Sequence, residues 1–101
     1  MKTAQDVFYK DLEVNLAAHR VSRAGHELCL TPREFALLAV LLTHCDKALS
    51  RSQLLEAAWG YAYIGESRTV DVHINRLRRK LGLKNDIQTV YKVGYRLNSA
   101  S

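Results

Sequence analysis

Apolar and polar residues alternate near the start of the chain: Leu12, Val14 and Leu16 are separated by Glu13 and Asn15. A period of two is the mark of a strand with one buried face. Val21 lies between Arg20 and Ser22, Ala24-Gly25 offers a turn, and Leu28 and Leu30 alternate again around Cys29. With another strand near Val7 to Tyr9, the first thirty residues read as a small antiparallel meander. The period then changes. Thr31 can cap a helix, Pro32 suits its first position, and Glu34 completes a capping box. The following FALLAVLL is apolar nearly all round, so this helix should be the buried one. Ser50 with Gln53 repeats the capping signal ahead of Leu54, Leu55, Ala58 and Trp59, a second short helix that Gly60 ends.

Residues 60–66, with two Gly and two Tyr, read as a loop, and Ser67 opens a third helix that runs to Gly82 or just short of it. Positions three, four and seven apart share a helix face. Val70, Ile74, Leu77 and Leu81 therefore form one narrow stripe, the expected buried side. Asp71, Asn75 and Arg78 share a second sector, where Asp71 can bond Asn75 or pair with Arg78. Thr69, Val72, His73, Arg76, Arg79 and Lys80 make a third, exposed side. Beyond it, Ile87 to Val90 and Tyr95 to Leu97 flank Lys92-Val93-Gly94 as a terminal β-hairpin. A leader at 1–6, expected to be disordered, and a polar tail at 99–101 bracket a single domain at 7–98.

Charge sharpens this picture. The first fifty residues hold six basic and six acidic side chains, whereas the remaining fifty-one hold nine and four. The whole excess of +5 therefore lies in the half that carries the third helix. Such asymmetry favours a polyanionic partner, nucleic acid ahead of a membrane surface. A major groove admits one helix and displays donors, acceptors and thymine methyls to it. Arg76 could donate two bonds to a guanine and Val72 could pack on a thymine methyl. Arg68, Thr69, His73 and Arg79 suit phosphates or base edges. Two short core helices before this helix and a hairpin after it fit helix-turn-helix docking geometry.

Other chemistry is poorly supported. No apolar run approaches the roughly 18–20 residues needed to cross a bilayer, and Met1-Lys2-Thr3 leads into polar residues rather than a signal-peptide core. Cys29 and Cys45 have no CxxC spacing and read as small buried thiols, which with the rest points to the cytoplasm. His19, His26, Cys29, His44 and Cys45 lack paired ligand spacing, so neither a metal nor another cofactor is expected. No nucleophile-elbow, phosphate-loop or HExxH motif occurs, and no enzymatic activity is expected. Trp59, Tyr95 and Phe35 sit where core packing, not base stacking, would use them. A protein-interaction module is the remaining rival, with Tyr61, Tyr63 and Ile64 as its docking patch.

In this order, LTPREFALL, LSRSQLLEAAWG, SRTVDVHINRLRRKLG and QTVYKVGYRL closely resemble the effector domain of OmpR/PhoB-type response regulators, over about residues 7–98. The resemblance implies an α+β winged helix-turn-helix: an N-terminal four-stranded antiparallel sheet, three helices and a C-terminal hairpin wing. It implies transcription control within a two-component system, through sequence-specific binding of duplex DNA. The third helix would enter the major groove and the wing would approach the minor groove. Carried over by position, Arg68, Thr69 and His73 would contact phosphates, Arg76 with Val72 beside it would address bases, and Thr89 would hold a phosphate from the wing. Arg79 and Lys80 complete the cationic side. Many members place Arg then Gly early in the hairpin turn; Tyr91 and Lys92 stand there instead, and a flexible ammonium does not replace a planar guanidinium. Asn75 likewise replaces a common basic residue. The implied partners are direct repeats bound head to tail by a chain that is monomeric in solution, RNA polymerase at loop 60–66, and a receiver domain if the chain is a fragment.

Overall fold

The computed structural model describes residues 6–60 and 68–99. The segments 1–5, 61–67 and 100–101 lie outside it, and with them the expectations of a disordered leader over most of 1–6, of a loop at 60–66 beyond Gly60, of a helix start at Ser67 and of a polar tail over most of 99–101.

Four short strands come first: β1 (Asp6–Tyr9), β2 (Leu12–Asn15), β3 (Arg20–Arg23) and β4 (His26–Leu28). They form an antiparallel sheet in sequence order, with Val7 opposite Val14, Val14 opposite Val21 and Val21 opposite Leu28. Alternation does the sorting. Leu12, Val14 and Val21 are buried while Glu13 and Glu27 face outward. Ala24 and Gly25 both take positive φ, as a two-residue hairpin turn with the right twist demands. The four-stranded meander is thus as expected.

Helix α1 (Pro32–Thr43) starts on the anticipated capping box: the Glu34 amide donates to Thr31 Oγ1, and the Thr31 amide to Glu34 Oε1. Its Phe35, Leu37, Leu38 and Leu41 are buried in the middle of the core. A two-residue strand, β5 (Leu49–Ser50), precedes α2 (Arg51–Trp59), whose capping box joins Ser50 and Gln53. Helix α3 (Arg68–Leu81) follows, then β6 (Ile87–Val90) and β7 (Gly94–Leu97). Strand β7 pairs with both β6 and β5, giving a second sheet of order β5-β7-β6.

That second sheet departs from the simple hairpin expected. Strand β5 has only two residues, too short for any periodicity to show. It exists because Gly94 has no side chain: a Cβ there would stand 2.1 Å from the Leu49 carbonyl oxygen. The approach lets Leu49 pair with Tyr95 and Ser50 with Gly94, tying the wing to the start of α2.

The cysteines also depart from expectation. Cys29 is exposed rather than buried: it lies just past β4, between the half-buried Leu28 and Leu30. Cys45 is half-buried after α1, its thiol donating to the Leu97 carbonyl at 3.4 Å, and both are free. Among the described residues, no helix is long and apolar enough to cross a membrane.

Candidate nucleic-acid interface

Helix α3 divides along its length as the periodicity predicts. Val70, Ile74, Leu77 and Leu81 are fully buried against the core, and α1 and α2 pack on it. On the opposite side Arg68, Val72, Arg76, Arg79 and Lys80 are exposed, and Thr69 and His73 are half-buried. Val72 is 48% exposed and stands among these cations. Thr89 is exposed on β6, and Lys92 lies at the wing tip beside Tyr91, which is 83% exposed. The seven helix positions therefore share one element, and Thr89 and Lys92 lie on the wing next to it.

The helix is held at both ends. At its C-terminus Gly82 takes φ 65°, and the Leu83 amide donates back to the Arg78 carbonyl at 3.0 Å, a Schellman closure. Arg23 of β3 adds a guanidinium bond of 2.6 Å to the Leu81 carbonyl, a cation at the negative end of the helix. Near its N-terminus, Trp59 of α2 meets the His73 ring edge-on, with centroids 4.9 Å apart. The other face of this junction is closed by Arg33, which donates to the Ala58 carbonyl at 2.8 Å and lies 5.9 Å from the Trp59 ring centroid. His73 Nδ1 stands 2.9 Å from the Thr69 carbonyl oxygen. A carbonyl only accepts, so Nδ1 carries the proton, and Nε2 is left for an external group.

The second sector works differently from the sequence expectation. Asp71 pairs with neither Asn75 nor Arg78. Its Oδ1 accepts from Arg51 Nε at 2.8 Å and from the Tyr95 hydroxyl at 2.6 Å. Arg78 turns to the wing instead, donating to the Ile87 carbonyl at 2.7 and 3.1 Å and to Thr89 Oγ1 at 3.0 Å, with Asn75 Oδ1 at 3.2 Å. An intrahelical pair loses here because partners on α2, β6 and β7 offer shorter and more numerous bonds. Burial pushes the Asp71 carboxyl up, but the bonds from Arg51 and Tyr95 outweigh it and hold the group below its usual range. The Tyr95 phenol is pushed up, first by burial and then by Asp71.

Two candidate residues carry prior engagements. Thr89 already accepts from Arg78. Lys80 donates to Glu34 Oε1 at 2.7 Å, and that carboxylate is fully buried. The partners Arg51, Glu34 and Tyr95 were not legible as such, because they lie 20, 46 and 24 positions from the helix residues they hold. Glu34 showed only as a cap and Tyr95 only as core. Among the described residues, no three of His, Cys, Asp or Glu gather in a metal-binding arrangement.

Comparison with known proteins adds an independent line. A family model described as "Transcriptional regulatory protein, C terminal" matches residues 25–97. The uncharacterized transcriptional regulatory protein YkoG of Bacillus subtilis (strain 168) is 44% identical over 90 residues, which are 86% of this chain and 40% of that protein. The DNA-binding domain of CpxR from E. coli superposes with a TM-score of 0.82 at 31% identity, over 95% of this chain and 98% of that one. The DNA-binding domain of response regulator AdeR, solved in complex with an intercistronic region, gives 0.80 at 28% identity, over 93% of this chain and 100% of that one. This chain spans about two fifths of the length of the curated relatives it matches.

Proposed function

The chain belongs to the OmpR/PhoB-type family of transcriptional regulatory C-terminal domains, and we propose that it binds duplex DNA by sequence to control transcription, as the output module of a two-component regulator. The observation that carries this is the outer side of α3. Arg68, Arg76 and Arg79 stand exposed with Val72 on a helix whose opposite stripe is fully buried and whose C-terminus is anchored. A related domain has been solved on DNA.

In this reading α3 lies in the major groove. Phosphate contacts from Arg68, Thr69, His73 and Arg79 give most of the affinity, whereas Arg76 and Val72 read base edges. His73 would meet a phosphate through Nε2, since Nδ1 is held by the Thr69 carbonyl. Thr89 contributes a hydroxyl from β6, steadied by Arg78. Lys92 approaches the minor groove from a tip whose turn places it at φ 62° and brings its ammonium 5.4 Å from the Tyr91 ring centroid. Residues 7–98 form the binding unit, and nothing in the reading calls for catalysis or a cofactor. Two copies bind direct repeats head to tail, the chain being a monomer off DNA. Loop 60–66 faces RNA polymerase, a receiver domain governs the module if the chain is part of a longer regulator, and the setting is the cytoplasm.

The deciding experiment is in vitro selection of bound duplexes from a random pool. Enriched direct repeats about one helical turn apart support the reading. A pool that stays random, with binding insensitive to salt, sinks it and favours a protein-interaction module, because phosphate binding must weaken steeply as salt rises.

A further inference from the structure

We propose that Glu34 is a positioning residue for DNA binding: its buried carboxylate holds Lys80 as an internal substitute for a DNA phosphate and withholds that cation from the duplex. The inference rests on the DNA-binding reading above. Glu34 sits in the first turn of α1 and is 0% exposed. Its Oε1 accepts from the Thr31 amide at 2.9 Å and from Lys80 Nζ at 2.7 Å. Its Oε2 is buried with no donor among the described residues. One neutral amide and one ammonium thus make up the compensation for a buried negative charge.

Capping does not require that charge. The same chain builds the same box on α2 with Gln53, whose side-chain oxygen accepts from the Ser50 amide at 2.8 Å and whose own amide donates to Ser50 Oγ at 3.0 Å. A neutral amide suffices there. The ionised carboxylate at 34 is therefore surplus to capping, and its visible partner is a cation on the proposed DNA side. Burial pushes the Glu34 carboxyl up, but the bonds from Lys80 and Thr31, with the field of Arg76, outweigh it and keep the group ionised.

Competition between the two anions decides where Lys80 goes. The Lys80 side chain is 41% exposed, so a phosphate could reach it only through water-screened attraction. Leaving Glu34 would strip a buried carboxylate of its only ion-pair partner among the described residues, with the Thr31 amide and the field of Arg76 as the remaining compensation. The internal anion wins. Helix α3 then meets phosphates with arginines, and Lys80 adds nothing to the sequence-independent part of affinity, which grows with each phosphate neutralised. The salt dependence of binding is set one cation lower than the sequence suggests.

The test measures binding of a fluorescent duplex of random sequence across a salt series, with folding checked by thermal melts. Glu34→Gln keeps the capping acceptor and releases Lys80. It is expected to tighten binding several-fold and to steepen the log–log salt slope by about 0.9. Lys80→Gln should leave the wild-type slope unchanged, and the double variant should return to it. Glu27→Gln, an equal charge change on exposed β4, should not move the slope, which separates release of Lys80 from net charge. The proposal is overturned if Glu34→Gln leaves the slope unchanged, if Glu27→Gln steepens it equally, or if Lys80→Gln lowers it by about 0.9. Should Lys80→Gln not fold, Glu34→Gln and the double variant decide alone. A wild-type chain that binds no duplex at any salt overturns the DNA reading as well, whereas steep wild-type binding with an unmoved Glu34→Gln overturns this proposal only.

Discussion

Gly94 and Arg76 show two ways in which one residue is constrained. Gly94 is fixed by the Leu49 carbonyl, which occupies the place of any Cβ. Gly94→Ala must push β5 from β7 and should cost about 1–3 kcal/mol, as overpacking does; a thermal melt matching wild type would mean the strands part without penalty. Among the described residues no hydrogen bond or ion pair fixes the Arg76 guanidinium, which is what a base reader needs. Arg76→Ala should cost about 1–3 kcal/mol at the selected site and relax one base preference, whereas Arg68→Ala should weaken all sequences alike and flatten the salt slope. Equal losses on selected and random DNA would remove Arg76 from base reading. The sequence showed Arg76 through its place on the helix. It showed Gly94 only as part of a turn, because the obstructing atom belongs to a residue 45 positions away.

Among the elements, α3 is the one whose sequence said most. Its apolar stripe is regular enough to assign four buried residues, and all four are fully buried. Leu77→Ala should leave a cavity under the middle of the helix and cost about 2–5 kcal/mol; an unchanged melting temperature would contradict the packing. Periodicity ranks the faces of a helix but does not name their partners. The Asp71 sector was correctly separated from the other two, yet apart from the Arg78–Asn75 bond its contacts run to Arg51, Tyr95, Ile87 and Thr89 on other elements rather than along the helix. The capping boxes of α1 and α2 were legible because both halves of each lie three residues apart. Strand β5 was not, since two residues carry no pattern and its pairing depends on β7.

At the scale of the molecule, the polar ties that orient the candidate interface share a dependence on pH. Asp71 and Glu34 both titrate below their usual values in the folded chain. A carboxyl with a lowered folded pKa contributes stability that is complete above its unfolded value, about pH 4, and is lost as pH falls through the folded one. Melting temperature should therefore stay level from neutral pH to about pH 5 and fall below about pH 4, less steeply in an Asp71→Asn, Glu34→Gln double variant. An identical acid limb in that variant would show that other carboxyls govern it. Such ties explain how the chain divides between what is written locally and what is not. By itself the sequence determined the meander, the two caps, the buried stripe of α3 and the concentration of positive charge in its second half, because each depends on neighbours within about one or two turns of chain. Only the tertiary structure decided which side chains are free to meet a partner. Lys80 and Arg79 are adjacent and both basic, yet Lys80 is bonded to a carboxylate 46 positions away, and no local pattern encodes a contact that exists only once α1 and α3 have packed.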